Sequence, residues 1–319
     1  PGSIVACGLI VGAVFLILGL TGAIGRLARL VPNAVVSGLQ LGLGLTLALL
    51  GLDMMLADWA IALVAGGLLL AFFWVPRCPA ALLALAGATA LVLLRDGVPS
   101  VTFDPGLPEL GVVLPSASDL WRGFELAALP QIPLTLTNAI IVTATLGGTL
   151  FGTRAARVTP RNLALTTGGA NLLLAPLGAY PMCHGAGGMA AHHRFGARGR
   201  GAPIVMGLCC LGLAFAVGSD AAALLAMVPE AAVGCLLVAT GWELASALRA
   251  RPAPFAEWPA LAATAGGTLA VNAFVGFVLG CLIAWLWPWL RGRVTRHSRA
   301  AEPSSTDDGT GGNQSIRVS

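Results

Sequence analysis

LARLVPNAVVSGLQLGLGL, residues 27–45, comes back without a gap 197 positions later as LLAMVPEAAVGCLLVATGW, residues 224–242. Leu27, Val31, Pro32, Ala34, Val36, Leu39 and Gly44 have identical counterparts in the second copy. Apolar helices align cheaply, so the flanks carry more weight than the matches. The first copy follows an arginine-bearing turn (Arg26, Arg29) and the second an acidic one (Asp220). Arginine marks the cytoplasmic end of a membrane helix. One element inserted twice in opposite orientation is the signature of an inverted-repeat transporter.

The remainder of the chain suits a membrane. Its 319 residues are 57% hydrophobic and 10% charged, with a mean hydropathy of +0.86. A soluble domain carries about 25% charged residues. Apolar runs of spanning length recur from end to end, which predicts an all-α polytopic membrane protein. The runs are continuous rather than alternating, which excludes a β-barrel. All eighteen basic residues are arginine, which points to a GC-rich bacterial genome, so the net charge of +4 gives no reason to expect nucleic acid. The seven cysteines lack ligand spacing and read as small packing residues, with no metal or cofactor expected.

Hydropathy and helix breakers predict helices near 4–25, 33–52, 59–75, 79–94, 127–151, 162–178, 203–219 and 229–248, with a short one over 183–195. The run 255–290 is too long for one crossing and has arginine on both sides, so it should be a hairpin of two short helices turning near Asn272. Residues 95–126 read as an extracytoplasmic loop and the start of the next helix, and 292–319 as a disordered cytoplasmic tail. Arginine clusters (26/29, 77, 154/157/161, 194/198/200, 249/251, 291 onward) alternate with acidic ones (53/58, 96/104/109/119, 220). That alternation places the C-terminus in the cytoplasm. The chain opens on Pro1 and an apolar run without a signal-peptide pattern, and it reads as a fragment with its N-terminal part missing.

The candidate site lies in YPMCHGAGGMAAHHRFG, residues 180–196. Tyr180 before Pro181 is held extended. A helix starting near Cys183 would present the amides of Gly185, Ala186, Gly187 and Gly188 with little side chain over them. Free amides and the positive end of a helix dipole make an anion site. His184 stands at its mouth, as a hydrogen-bond donor or the carrier of a coupled proton. The competing explanation is close helix packing at the glycines and a histidine bonded to a backbone carbonyl. A second polar group is PQIPLTLTN, residues 130–138: Gln131, Thr135 and Asn138 (i, i+4, i+7) fall on one helical face. Such residues either bind a ligand or hydrogen-bond between helices. Asn171 and Asn272 read as packing or turn residues, and Glu243 as interfacial.

PQIPLTLTNAI, GAYPMCHGAGGMAAHHRFGARGR and the two VP-led repeat segments resemble the molybdate transporter family within the sulfate permease superfamily. The resemblance covers nearly all of the chain except its tail. It implies a seven-plus-seven inverted-repeat fold, here lacking about the first three helices. A core domain (about 1–29 and 127–219) would carry the substrate against a gate domain (about 30–94 and 220–290), within a transmembrane region of residues 1–291. It also supports Gln131, Asn138, His184 and the glycines as substrate-binding residues, beside Thr135, Cys183 and Ala186.

The function expected is secondary active transport of a tetrahedral oxyanion, molybdate ahead of sulfate, across the bacterial inner membrane. No ATP-binding loop is present, so a gradient would drive it. The partners expected are molybdate or sulfate and membrane lipid, with a homodimer as the assembly to test and no nucleic acid. A nucleobase permease of the same fold would place a carboxylate in these helices, and there is none. An intramembrane hydrolase using His184 with Ser37 or Cys183 lacks an orienting acid, so an enzyme is not expected.

Overall fold

The computed structural model describes residues 1–73, 75, 78–97, 111–194, 196–217, 226–250 and 254–300. Among them the regular structure is entirely helical. In chain order, α1 is Gly2–Leu20, α2 Ala23–Leu30, α3 Asn33–Leu56, α4 Trp59–Phe73 and α5 Ala80–Asp96. A long helical segment α6 (Ala117–Ala155) follows, closing in a 3-10 turn after Gly152, then α7 (Pro160–Leu174), α8 (Ala186–Arg194) and α9 (Gly201–Val217). The chain closes with α10 (Glu230–Ala250), α11 (Trp258–Ala270) and α12 (Ala273–Ala300). By length and hydropathy, α1, α3 and α6 can each cross a bilayer. From Ala117 to Phe151, before the positive φ of Gly152 turns the chain, α6 is about 52 Å long at 1.5 Å per residue, well over the hydrocarbon thickness.

Several boundaries differ from the sequence expectation, each for a local reason. The helix expected over 4–25 breaks at Gly22, whose φ of 71° ends α1 and starts the short α2. α6 begins at Ala117 rather than 127, because Ser116 and Asp119 form a reciprocal capping box. Residues 117–126, expected in the loop and lead-in, are therefore helical. α11 and α12 form the expected hairpin about Asn272, whose side-chain oxygen accepts the Val275 amide at 2.9 Å. Only the first of them is short. The second continues to Ala300, so residues 292–300 are helical. Residues 301–319 and Asp220 lie outside the described residues.

The helices pack in two groups. α1, α2, α6, α7 and α8 contact one another, and α3, α4, α5, α10, α11 and α12 form the second group. They meet where α12 and α3 lie against the middle of α6, around Phe15, Val35, Leu136, Ile140 and Cys281. α9 presents Ile204, Val205, Leu208, Leu211 and Phe215 exposed.

Lipid is as apolar as leucine, so membrane helices associate by close packing at small residues rather than by expelling water. The seam between α3 and α10, the two copies of the repeat, shows this directly. A Cβ added to Gly44 would lie 2.6 Å from the carbonyl oxygen of Gly241, and one added to Gly241 would strike that of Gly44. Gly51 and Gly234 stand in the same relation, at 2.5 and 2.6 Å. The helices are therefore antiparallel. Gly44 touches the residue that the repeat makes its own equivalent, so the pseudo-two-fold axis runs through this contact.

The two ends of the bundle differ in charge. At one end Arg95 bridges to Asp58 at 2.8 Å and Asp96 at 3.0 Å, and Ser3 bonds Asp119. The Arg95 guanidinium first, then the Ile61 amide, hold the Asp58 carboxyl below the usual carboxylate range. At the other end Arg161 donates to the Gly19 carbonyl at 3.1 Å, beside a cavity of about 380 Å³ that Arg29 also lines.

Candidate anion site at a broken helix

α7 starts on Thr159, whose hydroxyl accepts the Asn162 amide, with Pro160 in its first turn. It ends in a tight turn at Gly178, φ 87°. The chain then runs back extended through residues 179–185 before α8 begins. Pro181 and the glycines disfavour helix there, and the backbone groups left bare are met by α7 and α6. Asn171, 1% exposed, donates to the Met182 carbonyl at 2.7 Å and accepts the Met182 amide at 2.9 Å. One side chain thus closes both backbone groups of Met182, as a neighbouring strand would. The sequence reading left Asn171 as a packing residue; the structure makes it the clamp of this segment.

Two threonines that sequence reasoning did not single out hold His184. Thr143 on α6 donates towards the His184 carbonyl at 2.9 Å and sits 3.0 Å from the Asn138 carbonyl. Thr166 on α7 meets the ring, Oγ1 to Nε2, at 2.7 Å. Their signal in sequence was only a hydroxyl inside an apolar run. Thr143 thus ties the segment leading into α8 to the later part of α6.

The first-turn amides of α8 have no partner one turn back, because its ladder begins with Met189 donating to Gly185 at 3.3 Å. A Cβ built on Gly185, Gly187 or Gly188 would meet nothing within 4 Å, so no close helix contact explains them among the described residues. Cys183 and His184 are exposed beside them, and Ala186 is buried. Arg194 ends α8, so the short helix expected over 183–195 is present, starting three residues later.

The face carrying Gln131, Thr135 and Asn138 is less simple than its spacing suggests. Pro130 and Pro133 interrupt the ladder, and residues 124–128 and 135–142 take up wider π-helical turns. Gln131 donates to Thr135 at 3.3 Å, and Thr135 is 1% exposed. Gln131 also lines an open cavity of about 410 Å³ with Cys7, Tyr180 and Pro181. Asn138 is half-buried, and its side chain makes no hydrogen bond among the described residues. The structure thus joins Gln131 to Thr135, and it links Asn138 to His184 through Thr143. Among the described residues no cluster has metal-ligand geometry, and all seven cysteines are free.

The family model described as "Molybdate transporter of MFS superfamily" matches residues 1–47 and 123–244, which include α8 and both repeat copies. Molybdate transporter 1 of Chlamydomonas reinhardtii is 38% identical over 211 residues, 64% of this chain and 40% of that protein. Molybdate transporter 2 of Arabidopsis thaliana is 28% identical over 362 residues, 96% of this chain and 77% of its own length. The chain thus spans less than half of the algal relative. Among solved structures, the transmembrane domain of a cyanobacterium bicarbonate transporter, BicA, superposes with a TM-score of 0.62 at 17% identity. That superposition covers 88% of this chain and 76% of the other, and it gives the fold as the inverted-repeat one. On the family match and this fold, the chain is a multi-pass membrane protein that belongs to the molybdate transporter family.

Proposed function

We propose that this chain forms most of a secondary transporter for a tetrahedral oxyanion, molybdate ahead of sulfate, in a bacterial inner membrane. The observation that carries the reading is the start of α8: unpartnered first-turn amides, three glycines with open space over them, and a histidine pinned alongside. Backbone N–H groups and about half a positive charge at the helix end favour an anion, more strongly where water is thin. The anion sits on the amides of Gly185, Ala186, Gly187 and Gly188, beside Cys183 and His184, with Asn138 and Gln131 as uncharged donors. Thr135 acts through Gln131. Molybdate comes first because the relatives carry that name.

The two packing groups divide the labour. α1, α2 and α6 to α8 form the core that carries the anion, and α3 to α5 with α10 to α12 form the gate it moves against. The arginine-lined end, with the C-terminus, faces the cytoplasm. A gradient drives the movement.

The test is molybdenum accumulation, read by elemental mass spectrometry, in cells without their own uptake system that express the complete natural protein. Uptake that resists excess sulfate and falls to background in Gly187→Leu supports a molybdate site at α8. Uptake abolished by sulfate makes it a general oxyanion permease. No uptake by well-expressed protein overturns the reading.

A further inference from the structure

The ring of His184 is held by one hydroxyl, and the bonding of that hydroxyl decides which ring nitrogen carries the proton. Thr166 Oγ1 lies 2.8 Å from the Asn162 carbonyl, one turn back on α7, and 3.2 Å from that of Leu163. It lies 2.7 Å from His184 Nε2. A hydroxyl has one proton and two lone pairs. Were the proton directed to Nε2, the Thr166 oxygen and the Asn162 carbonyl oxygen would face each other at 2.8 Å with nothing between them. Directed to Asn162 instead, it leaves a lone pair that accepts Nε2–H, and both contacts are satisfied. The neutral ring is therefore the Nε2–H tautomer. Nδ1 is then a bare lone pair, with no partner among the described residues.

We propose that Thr166 is a positioning residue that makes His184 the proton carrier of this site, so that oxyanion and proton bind together. The inference rests on the reading that an anion occupies the start of α8. Towards an anion, a lone pair on Nδ1 is repulsive. Once protonated, Nδ1 donates a charge-assisted hydrogen bond and adds a full positive charge to the helix end. The balance is simple: one proton bonds to Nδ1 as the anion arrives, and it leaves with the anion on the other side.

Among the described residues the ring's one side-chain hydrogen-bond partner is Thr166. α7 contributes one charged residue, Arg161 in its first turn, and α6 contributes Asp119, Arg122 and Glu125 near its start and Arg154 at its end. The segment itself brings the Cys183 thiol, and the far end of α8 brings His192, His193 and Arg194. None of these carboxylates hydrogen-bonds the ring. The ring is thus free to lose its proton when the anion departs.

The experiment uses the complete natural protein in liposomes that enclose a pH-sensitive dye, with molybdate uptake measured alongside lumenal pH. Wild type should acidify the lumen as molybdate enters. Its uptake should fall about tenfold per pH unit above the ring's titration, as one proton per anion requires. Thr166→Val removes the acceptor of Nε2–H and lets the neutral ring present Nδ1–H. Its pH slope should flatten and its acidification per molybdate should drop, whatever its rate. Thr166→Ser should restore both. Uptake by wild type with a flat profile and no acidification overturns this inference alone. So does a Thr166→Val protein with the wild-type slope. Absence of any wild-type uptake overturns the anion site beneath it.

Discussion

At the crossing of α3 and α10, a Cβ added to Gly44, Gly51, Gly234 or Gly241 would run into a backbone carbonyl. At the start of α8, one added to Gly185, Gly187 or Gly188 would meet nothing within 4 Å. The residue is the same and its use is opposite. In the seam, glycine is absence of volume, and it lets two backbones touch where no hydrophobic driving force holds helices together. At α8, glycine is absence of cover, and it leaves amide hydrogens open to whatever approaches. A glycine count or a G-x-x-G pattern cannot tell these apart; the surroundings of the missing Cβ can.

Matched leucine substitutions would break the comparison most forcefully. Gly241→Leu drives a side chain into the Gly44 carbonyl, so the seam must part. The loss should reach or exceed the roughly 1–3 kcal/mol of ordinary overpacking, seen as a lost monodisperse peak in detergent and a lowered melting temperature. Gly187→Leu should leave both measurements unchanged while molybdate uptake falls to background. A stable Gly241→Leu protein, or an unfolded Gly187→Leu one, would invert the assignment.

Next in size is Asn171→Leu, which bares the amide and carbonyl of Met182 together. It should cost about 1–3 kcal/mol for each group left without a partner. Thermal melting should show this, and uptake should fall because α8 loses its fixed start. Thr143→Val removes one donor to the His184 carbonyl and should cost about 0.5–1.5 kcal/mol, with a weakened molybdate affinity in a binding assay.

The smallest effect belongs to the exposed ion pair. Asp58→Asn should leave the melting temperature at neutral pH nearly unchanged, since half-open pairs contribute little. The sign with pH is fixed by the lowered carboxyl value. The pair's contribution is complete above the ordinary carboxylate range and disappears as pH falls through the lowered folded value. Any gap between variant and wild type should therefore close on acidification.

Much of the fold was legible because its signals are additive along the chain. The repeat at 27–45 and 224–242 named the two helices that form the seam, and Gly44 and Gly241 already stood in register. The hairpin about Asn272 followed from length and arginine placement. What failed depended on a single residue's backbone or on tertiary partners. Gly22 split one expected helix because glycine tolerates a positive φ, which composition cannot foretell. Pro130 and Pro133 spoiled the straight i, i+4, i+7 face by admitting π-helical turns. The glycines and His184 were visible as a break in an apolar run. Thr143, Thr166 and the clamp of Asn171 were not, because a threonine or asparagine in a membrane helix more often bonds its own helix than a distant loop.

The clamping of residues 182–184 has a consequence for affinity. Met182 is held twice by Asn171, and His184 is held by Thr143 at its carbonyl and Thr166 at its ring. Four hydrogen bonds from two helices set the chain leading into α8 before any ligand arrives. A ligand therefore has almost no backbone to order on binding. The entropy lost falls on the ion and its displaced water, and a small anion can bind tightly while touching few atoms.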